Sequence, residues 1–136
     1  MIFLDSGYLV ALAEPNDLLN PRAARWADCV DEPLVLTDYV LLEAVNYLSR
    51  PADRTKAHAL YDEVVTDSAY ELVHVSTDLL AAAMRLHRER PDKEWSLTDC
   101  VSFHVMNERS ISRALAYDHH FEQAGFEALL RGDPPG

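Results

Sequence analysis

Short runs rich in apolar residues alternate along the chain with longer segments whose apolar residues recur every three to four positions. The runs are predicted strands, at 2–4, 34–36, 71–75, 114–116 and 126–130. The longer segments are predicted helices, at 6–13, 19–31, 38–49, 53–67, 77–90, 96–109 and 119–123. Strands that alternate with helices predict an α/β fold, in which a parallel sheet of about five strands lies between two helical layers. We expect the strand order 3-2-1-4-5.

Hydroxyl side chains stand where several helices are predicted to begin. Ser6, Thr37 and either Ser76 or Thr77 are placed to cap the helices that follow them. The length of the chain and the absence of an internal linker predict a single domain over 1–136, with a frayed tail at 131–136.

Composition excludes several classes of protein. No apolar run approaches the roughly 18 residues of a membrane helix, so we expect no membrane association. The start Ile2-Phe3-Leu4-Asp5 lacks a basic segment, and we expect a cytoplasmic protein without a signal peptide. Two cysteines make no disulfide framework. Four scattered glycines exclude a glycine-rich phosphate cradle, and with it a nucleotide cofactor held in that way.

The charge balance is strongly acidic. The chain has 23 Asp and Glu against 12 Lys and Arg, for a net charge of −11. A generic basic nucleic-acid binder has the opposite balance. The acids are either ordinary surface residues or, in part, ligands of a metal ion, and their positions along the chain decide between these.

Four acids occupy positions that are unusual for a charged side chain. Asp5 and Asp118 follow the first and fourth strands, which the expected order makes neighbours at the point where ligands bind in open α/β sheets. Glu43 lies in a helix whose other residues are mostly apolar and predicted to be buried, and Asn46 is on the same face of that helix. Asp99 lies in the first turn of a helix, where the helix dipole favours a carboxylate.

Each acid taken alone has an ordinary structural explanation. Asp5 and Asp118 fit turns after strands, Glu43 fits a surface position, and Asp99 fits a capping box with Ser96. Together, four converging carboxylates would repel one another, and no Lys or Arg lies within three residues of any of them. A divalent cation would relieve that repulsion, and oxygen ligands with open water positions suit Mg²⁺ or Mn²⁺.

These residues resemble a known family, the PIN domains, and within it the VapC toxins of type II toxin–antitoxin modules. The resemblance rests on Asp5-Ser6 after Ile-Phe-Leu, on Glu43 inside a helix, on Ser-Leu-Thr-Asp-Cys at 96–100, and on Asp118-His119-His120-Phe121 before Ala124-Gly125-Phe126. It implies a PIN-like, Rossmann-like three-layer fold and a metal-dependent endoribonuclease. Asp5, Glu43, Asp99 and Asp118 match the acidic positions of the family.

The resemblance also implies supporting residues and partners. Ser6 and Thr98 match hydroxyls that support the site, with Asn46 as a further neighbour, whereas Ala116 departs from the Thr or Ser of many members. One or two Mg²⁺ or Mn²⁺ ions, products with 5′-phosphate and 3′-hydroxyl ends, a VapB-like antitoxin and a homodimer are implied as well. The implied substrate is a defined site in tRNA or in large-subunit rRNA.

An acidic protein that binds RNA needs a local basic patch. The candidates for RNA contacts are Arg85, Arg88, Arg90 and Lys93, and a second set is Arg22, Arg25, Arg50 and Arg54. Glu89, Asp92 and Glu94 interleave with the first set, which is also the pattern of a solvated helix face.

Three other interpretations compete with the metal-dependent nuclease. His119 and His120 indicate acid–base ribonuclease chemistry without metal, although no partner lysine is evident. A phosphoacceptor receiver domain needs a lysine after a late strand, and neither Lys56 nor Lys93 lies there. The main alternative is a catalytically inert PIN-like binding module that acts through a protein partner.

Overall fold

The computed structural model describes residues 1–136 and contains one five-stranded sheet. Its strands are β1 (Ile2–Leu4), β2 (Leu34–Thr37), β3 (Tyr70–Val73), β4 (Arg113–Leu115) and β5 (Glu127–Ala128). Every neighbouring pair is parallel, and the strand order is β3-β2-β1-β4-β5. The predicted order is therefore confirmed. The strand order reverses between β1 and β4, because β2 and β3 are added on one side of β1 and β4 and β5 on the other.

Seven helices connect and cover the strands. They are α1 (Ser6–Ala13), α2 (Asn20–Cys29), α3 (Asp38–Tyr47), α4 (Arg54–Thr66), α5 (Thr77–Glu89), α6 (Leu97–Glu108) and α7 (His120–Gln123). Helices α1 to α4 pack on one another, and so do α5 to α7. Because parallel crossovers are right-handed, these two groups cover opposite faces of the sheet.

The core is built around the central strand β1. Phe3 and Leu4 are completely buried, and a continuous cluster of 34 buried apolar residues surrounds them. Burial of each large side chain contributes about 1.5–3 kcal/mol, so the position of β1 is strongly determined. The residue that follows β1 is therefore held firmly at the carboxyl edge of the sheet.

Helix caps agree with the sequence at three positions and differ at one. The hydroxyls of Thr37 and Ser76 accept bonds from the backbone N–H groups of Val40 and Leu79, both at 3.1 Å, and that of Ser96 accepts from the N–H of Asp99 at 3.0 Å. The N-cap of α1, however, is Asp5 rather than Ser6, and its carboxylate makes no capping hydrogen bond. That carboxylate is consequently available to the site described below.

The C-terminal segment differs from both predictions made for it. The strand predicted at 126–130 is wrong beyond Ala128, because Leu129–Arg131 form a 3₁₀ turn. Leu129 and Leu130 are buried, and the N–H of Leu130 donates to the carbonyl of Ala116 at 3.1 Å, outside the sheet ladder. This turn lets both leucines reach the core, which an extended strand with alternating side chains does not.

The frayed tail predicted at 131–136 is wrong for its first half. The indole of Trp26 donates to the carbonyl of Gly132 at 2.9 Å, and Arg25 pairs with Asp133 at 2.5 Å. These contacts hold the segment against α2. No helix combines the length and the apolar character needed to cross a membrane.

Candidate active site

Two strand ends and two helices bring the four predicted acids to one cavity. Asp5 follows β1 directly, and its N–H donates to the carbonyl of Leu115, the last residue of β4, at 3.2 Å. Asp118 lies three residues beyond β4, Glu43 lies in the middle of α3, and Asp99 lies in the first turn of α6. All four line the same cavity of about 810 Å³.

Asp5 is the most buried of the four acids, with only 9% of its surface exposed. Burial, which is the largest cause, and the charges of Asp99, Glu43 and Asp118 together raise its pKa from 3.8 to about 7, while the backbone N–H of Ser6 offsets part of the effect. The neighbouring acids thus repel Asp5 electrostatically. A cation placed among them would reverse that repulsion.

Asp99 and Asp118 converge on His120. The Nδ1 of His120 lies 3.1 Å from a carboxylate oxygen of each acid, and the backbone N–H of His120 donates to Asp118 at 2.8 Å. Ionised carboxylates only accept hydrogen bonds, so His120 links the two acids in the tautomer in which Nδ1 carries the proton. Ligand atoms of the three residues all lie within 4.8 Å of one another, which is compact enough to hold one ion.

Asp99 also caps its own helix. The hydroxyl of Ser96 accepts from the N–H of Asp99 at 3.0 Å, and the carboxylate of Asp99 accepts from the N–H of Ser96 at 3.1 Å. The capping explanation and the site explanation are therefore both satisfied by one side chain. The capping box fixes the orientation of the carboxylate that faces His120.

An aromatic cluster holds α7, and with it His120. The ring of Phe121 meets that of Phe103 edge to face at 5.0 Å, and Trp95 meets the same Phe103 at 5.0 Å. The indole N–H of Trp95 donates to the side-chain oxygen of Gln123 at the end of α7. The short helix is thus tied to α6 and to the loop before it, a connection that supplies rigidity to the site.

Glu43 is held in a different way from the other acids. The helix α3 buries Val40, Leu41 and Ala44, but Glu43 lies on its exposed face, in contrast to the buried setting expected from the sequence. The hydroxyl of Ser6 donates to its carboxylate at 2.5 Å. Ser6 therefore joins α1 to α3 across the cavity.

The other predicted supporting residues lie farther out. Asn46 and Thr98 do not line the cavity, and neither do Arg85, Arg88, Arg90 or Lys93. Arg90 donates to both carboxylate oxygens of Asp92 at 3.0 Å, and Lys93 lies 3.8 Å from the same acid. The structure thus leaves the predicted RNA contacts outside the acidic cavity.

Two of the residues that line the cavity have a different place here from the one that the sequence suggested. The sequence indicated His120 only for acid–base chemistry without metal, and it placed Arg131 in the frayed tail. The backbone bond that brings His120 back to Asp118 is a local turn, which the Asp-His-His spacing permits. The buried pair Leu129-Leu130 was the available signal that the chain before Arg131 is anchored.

The donor set fits a divalent cation. It offers carboxylate oxygens, which are ligands suited to Mg²⁺ or Mn²⁺, and the imidazole of His120 lies beside them. No Lys or Arg forms an ion pair with Asp5, Glu43, Asp99 or Asp118. The residues that would hold an ion are therefore not neutralised by the protein's own basic side chains.

Comparison with known proteins agrees with this arrangement. The sequence profile of the PIN domain matches residues 2–127. The chain belongs to the PIN-domain family, as its sequence predicted. It is 32% identical to the 23S rRNA-specific endonuclease VapC20 of Mycobacterium tuberculosis over 128 residues, which are 93% of this chain and 95% of that protein. The predicted likeness to VapC toxins is confirmed.

Two solved structures have the same fold as this protein. The crystal structure of VapC20, described as a sarcin–ricin loop cleaving toxin, superposes with a TM-score of 0.89 at 27% identity, covering 95% of this chain and 98% of that one. FitAcB from Neisseria gonorrhoeae superposes with a TM-score of 0.69 at 17% identity, covering 94% of this chain and 95% of that one. The second likeness shows the fold alone.

Proposed function

We propose that the protein is a toxin of the VapC type that acts as a divalent-metal-dependent endoribonuclease. The observation that carries this proposal is the convergence of Asp5, Asp99, Asp118 and His120 in one cavity, with no Lys or Arg paired to the acids. The same family and fold are shared with an endonuclease over nearly the whole chain.

Some residues of the cavity would hold an ion, and others orient the side chains that would hold it. Asp5, Asp99 and Asp118 would bind Mg²⁺ or Mn²⁺, with Glu43 reaching it directly or through water. When bound, the ion supplies an activated water and stabilises the leaving oxygen of a phosphodiester. Ser6 orients Glu43, and the capping box orients Asp99, so the carboxylates are preorganised.

His120 has a positioning role in this scheme. Its Nδ1 links two carboxylates that would otherwise repel, and its backbone N–H fixes the rotation of Asp118. The histidine therefore maintains the geometry of the acids, as hydrogen-bonded neighbours of metal ligands commonly do. This role differs from the acid–base chemistry that a metal-free ribonuclease would require.

The proposed substrate is a structured loop of large-subunit rRNA, and tRNA is the less supported choice. VapC20 is named as a 23S rRNA-specific endonuclease, and its alignment with this chain, at 32% identity, covers 95% of its length. The strongly acidic surface disfavours indiscriminate binding to nucleic acids and favours recognition of a folded RNA by shape.

We further propose a VapB-like antitoxin and a homodimer, both in keeping with the toxin family. A basic side chain of the antitoxin that entered the acidic cavity would neutralise the carboxylates in place of the ion. Co-expression of the toxin with the short reading frame next to its gene is expected to yield a complex and to relieve toxicity. A failure of both would count against the partner.

The test of the activity is cleavage of ribosomal RNA by purified protein free of antitoxin. Mg²⁺ should support cleavage, chelation should abolish it, and Asp118→Asn should lower the rate by about 1,000-fold, because several kcal/mol of charge stabilisation are lost. Asp99→Asn should act similarly. Asp92→Asn is the matched control, since Asp92 pairs with Arg90 outside the cavity, and its rate should stay within about twofold of the parent.

The chemistry of the cut ends distinguishes the mechanisms. Attack by water leaves a 5′-phosphate and a 3′-hydroxyl, whereas attack by the ribose 2′-hydroxyl leaves a 2′,3′-cyclic phosphate. Cyclic ends formed in chelator and retained in Asp118→Asn would overturn the metal mechanism in favour of histidine chemistry. Absence of any cleavage by folded protein would instead favour the inert binding module.

A further inference from the structure

The twelve basic side chains of this protein are unequally available to an anionic ligand. Eight of them form ion pairs with acids. The four without an acidic partner are Arg54, Arg85, Arg88 and Arg131. Only Arg131 lines the acidic cavity. A phosphate approaching the carboxylates therefore meets one free cation.

Arg131 is held in place by Tyr117. Its guanidinium carbon lies 4.6 Å from the centre of the Tyr117 ring, and its Nη1 donates to the carbonyl of Tyr117 at 3.2 Å. The guanidinium is planar and offers five N–H donors, so one bond to a carbonyl leaves most of them free. Stacking of this kind restricts the side chain and reduces the entropy lost when it binds a phosphate.

The backbone beneath Arg131 is equally well fixed. Leu130 is completely buried and bonds to the carbonyl of Ala116, which itself lies between β4 and Asp118. The guanidinium of Arg22 donates to the carbonyl of Leu130 at 2.9 Å, and Trp26 holds Gly132 on the other side. Both residues that flank Arg131 are thus anchored, while the side chain itself is exposed.

We infer that Arg131, seated on Tyr117, is the contact through which the cavity receives a backbone phosphate of RNA next to the scissile one. This assignment rests on the proposed ribonuclease function. The acids and their ion attract only the phosphate that reacts, and the remaining carboxylate charge repels its neighbours. One stacked arginine at the rim offsets that repulsion and sets the register of the strand, because phosphate contacts position a nucleic acid.

The assignment replaces a basic patch with a single site. Arg85 and Arg88 lie on α5, outside the cavity, and so provide a direct comparison: the same charge, equally free of acidic partners, at a different place. Few phosphate contacts also predict a shallow dependence of affinity on salt. An enzyme of this kind would discriminate folded RNA from bulk nucleic acid, in keeping with its net charge of −11.

The test is single-turnover cleavage of a labelled RNA hairpin that carries the sarcin–ricin loop, at increasing enzyme concentration in Mg²⁺. Arg131→Gln should raise the half-saturating enzyme concentration about tenfold, as loss of a charge-assisted hydrogen bond does, and leave the maximal rate within about threefold. It should also reduce the slope of affinity against salt by about one. Arg131→Lys should be intermediate, because lysine keeps the charge and loses the planar stacking.

Two controls isolate the site. The double variant Arg85→Gln/Arg88→Gln and the single variant Arg54→Gln should both behave as the parent. Tyr117→Ala should raise the half-saturating concentration about threefold, whereas Tyr117→Phe should not, since the ring alone supports the guanidinium.

The outcomes separate the two proposals. If Arg131→Gln and the parent have the same half-saturating enzyme concentration and the same dependence of affinity on salt, the assignment is overturned. If only the double variant on α5 binds RNA more weakly, the RNA contact lies on that helix. If the parent does not cut the hairpin, the proposed activity fails. Fluorescence anisotropy of the same hairpin in the same buffer then decides on Arg131 alone: weaker binding by Arg131→Gln supports the assignment, and unchanged binding overturns it.

Discussion

Two buried aspartates in this protein have opposite electrostatic environments. Asp5 and Asp53 are 9% and 6% exposed. Burial and three neighbouring acids raise the pKa of Asp5 to about 7, whereas a hydrogen bond from Lys56, together with one from Arg50, lowers the pKa of Asp53. Two aspartates with similar exposed fractions thus have pKa shifts of opposite sign.

The difference lies in the partners, and it distinguishes a structural cluster from a binding site. Lys56 reaches both Asp53 and Glu14, at 3.2 and 2.5 Å, and Arg50 lies 2.9 Å from Asp53, so that cluster is neutral in itself. The acids around Asp5 have no Lys or Arg partner. A carboxylate cluster without its own cations is suited to take one from solution, and the neutral cluster is not.

The largest expected effect is on stability without metal. The folded protein keeps a proton on Asp5 up to about pH 7, but the unfolded chain releases it near 3.8. Between these values the folded state binds more protons, so the free energy of unfolding falls as pH rises. A shift of about three units corresponds to at most about 4 kcal/mol. Urea denaturation in chelator should therefore find Asp5→Asn more stable than the parent at pH 8.

The difference in the free energy of unfolding between Asp5→Asn and the parent should become smaller as pH falls toward 5, because protonation of Asp5 removes the repulsion in the parent. The comparison cancels the titration of the acids that do not interact with Asp5. A difference that stays constant from pH 8 to pH 5 would show that Asp5 ionises in the folded state as it does in the unfolded chain.

A smaller effect is expected from adding the ion. At a concentration 100 times its dissociation constant, Mg²⁺ or Mn²⁺ should stabilise the parent by about 2.7 kcal/mol, or about 10 °C in melting temperature. His120→Asn should weaken metal affinity about 10- to 100-fold, measured by calorimetry, because Asp99 and Asp118 lose their common partner. Asp53→Asn should show the full thermal shift, and an equal shift with NaCl of the same ionic strength would argue against a specific ion.

The smallest effect is expected at the neutral cluster. Asp53→Asn should lower the melting temperature by a few degrees at pH 7 without altering RNA cleavage. Since the pKa of Asp53 is lowered, its contribution is present above 3.8 and is lost as pH falls through the folded pKa, the opposite sign to Asp5. The melting temperatures of the parent and of Asp53→Asn should therefore approach each other as the pH falls below 3.8. A loss of cleavage in Asp53→Asn would remove the distinction between the two clusters.

The architecture and the four acids of the site could be predicted from the amino-acid sequence alone. Apolar runs of strand length, helical periodicity and hydroxyl caps are local signals, and they predicted the parallel sheet and the position of Asp5 and Asp118 beyond strand ends, whereas the strand order belongs to the fold that the resemblance to PIN domains implied. The capping box at Ser96 and Asp99 was also a local signal. Local periodicity decides these features because side-chain burial requires it.

Which charged side chains contact one another depends on how the folded chain packs. Arg90 and Lys93 pair with Asp92, an acid that already lies between them in the sequence, but Arg113 pairs with Glu32, 81 positions away. Arg131 looked like part of a loose tail, yet the buried turn before it and the contacts from α2 place it at the cavity. Ion pairing depends on distances between residues far apart in the chain, such as Arg22 and Asp133. No pattern along the chain encodes those distances, because they result from how the helices pack on the sheet.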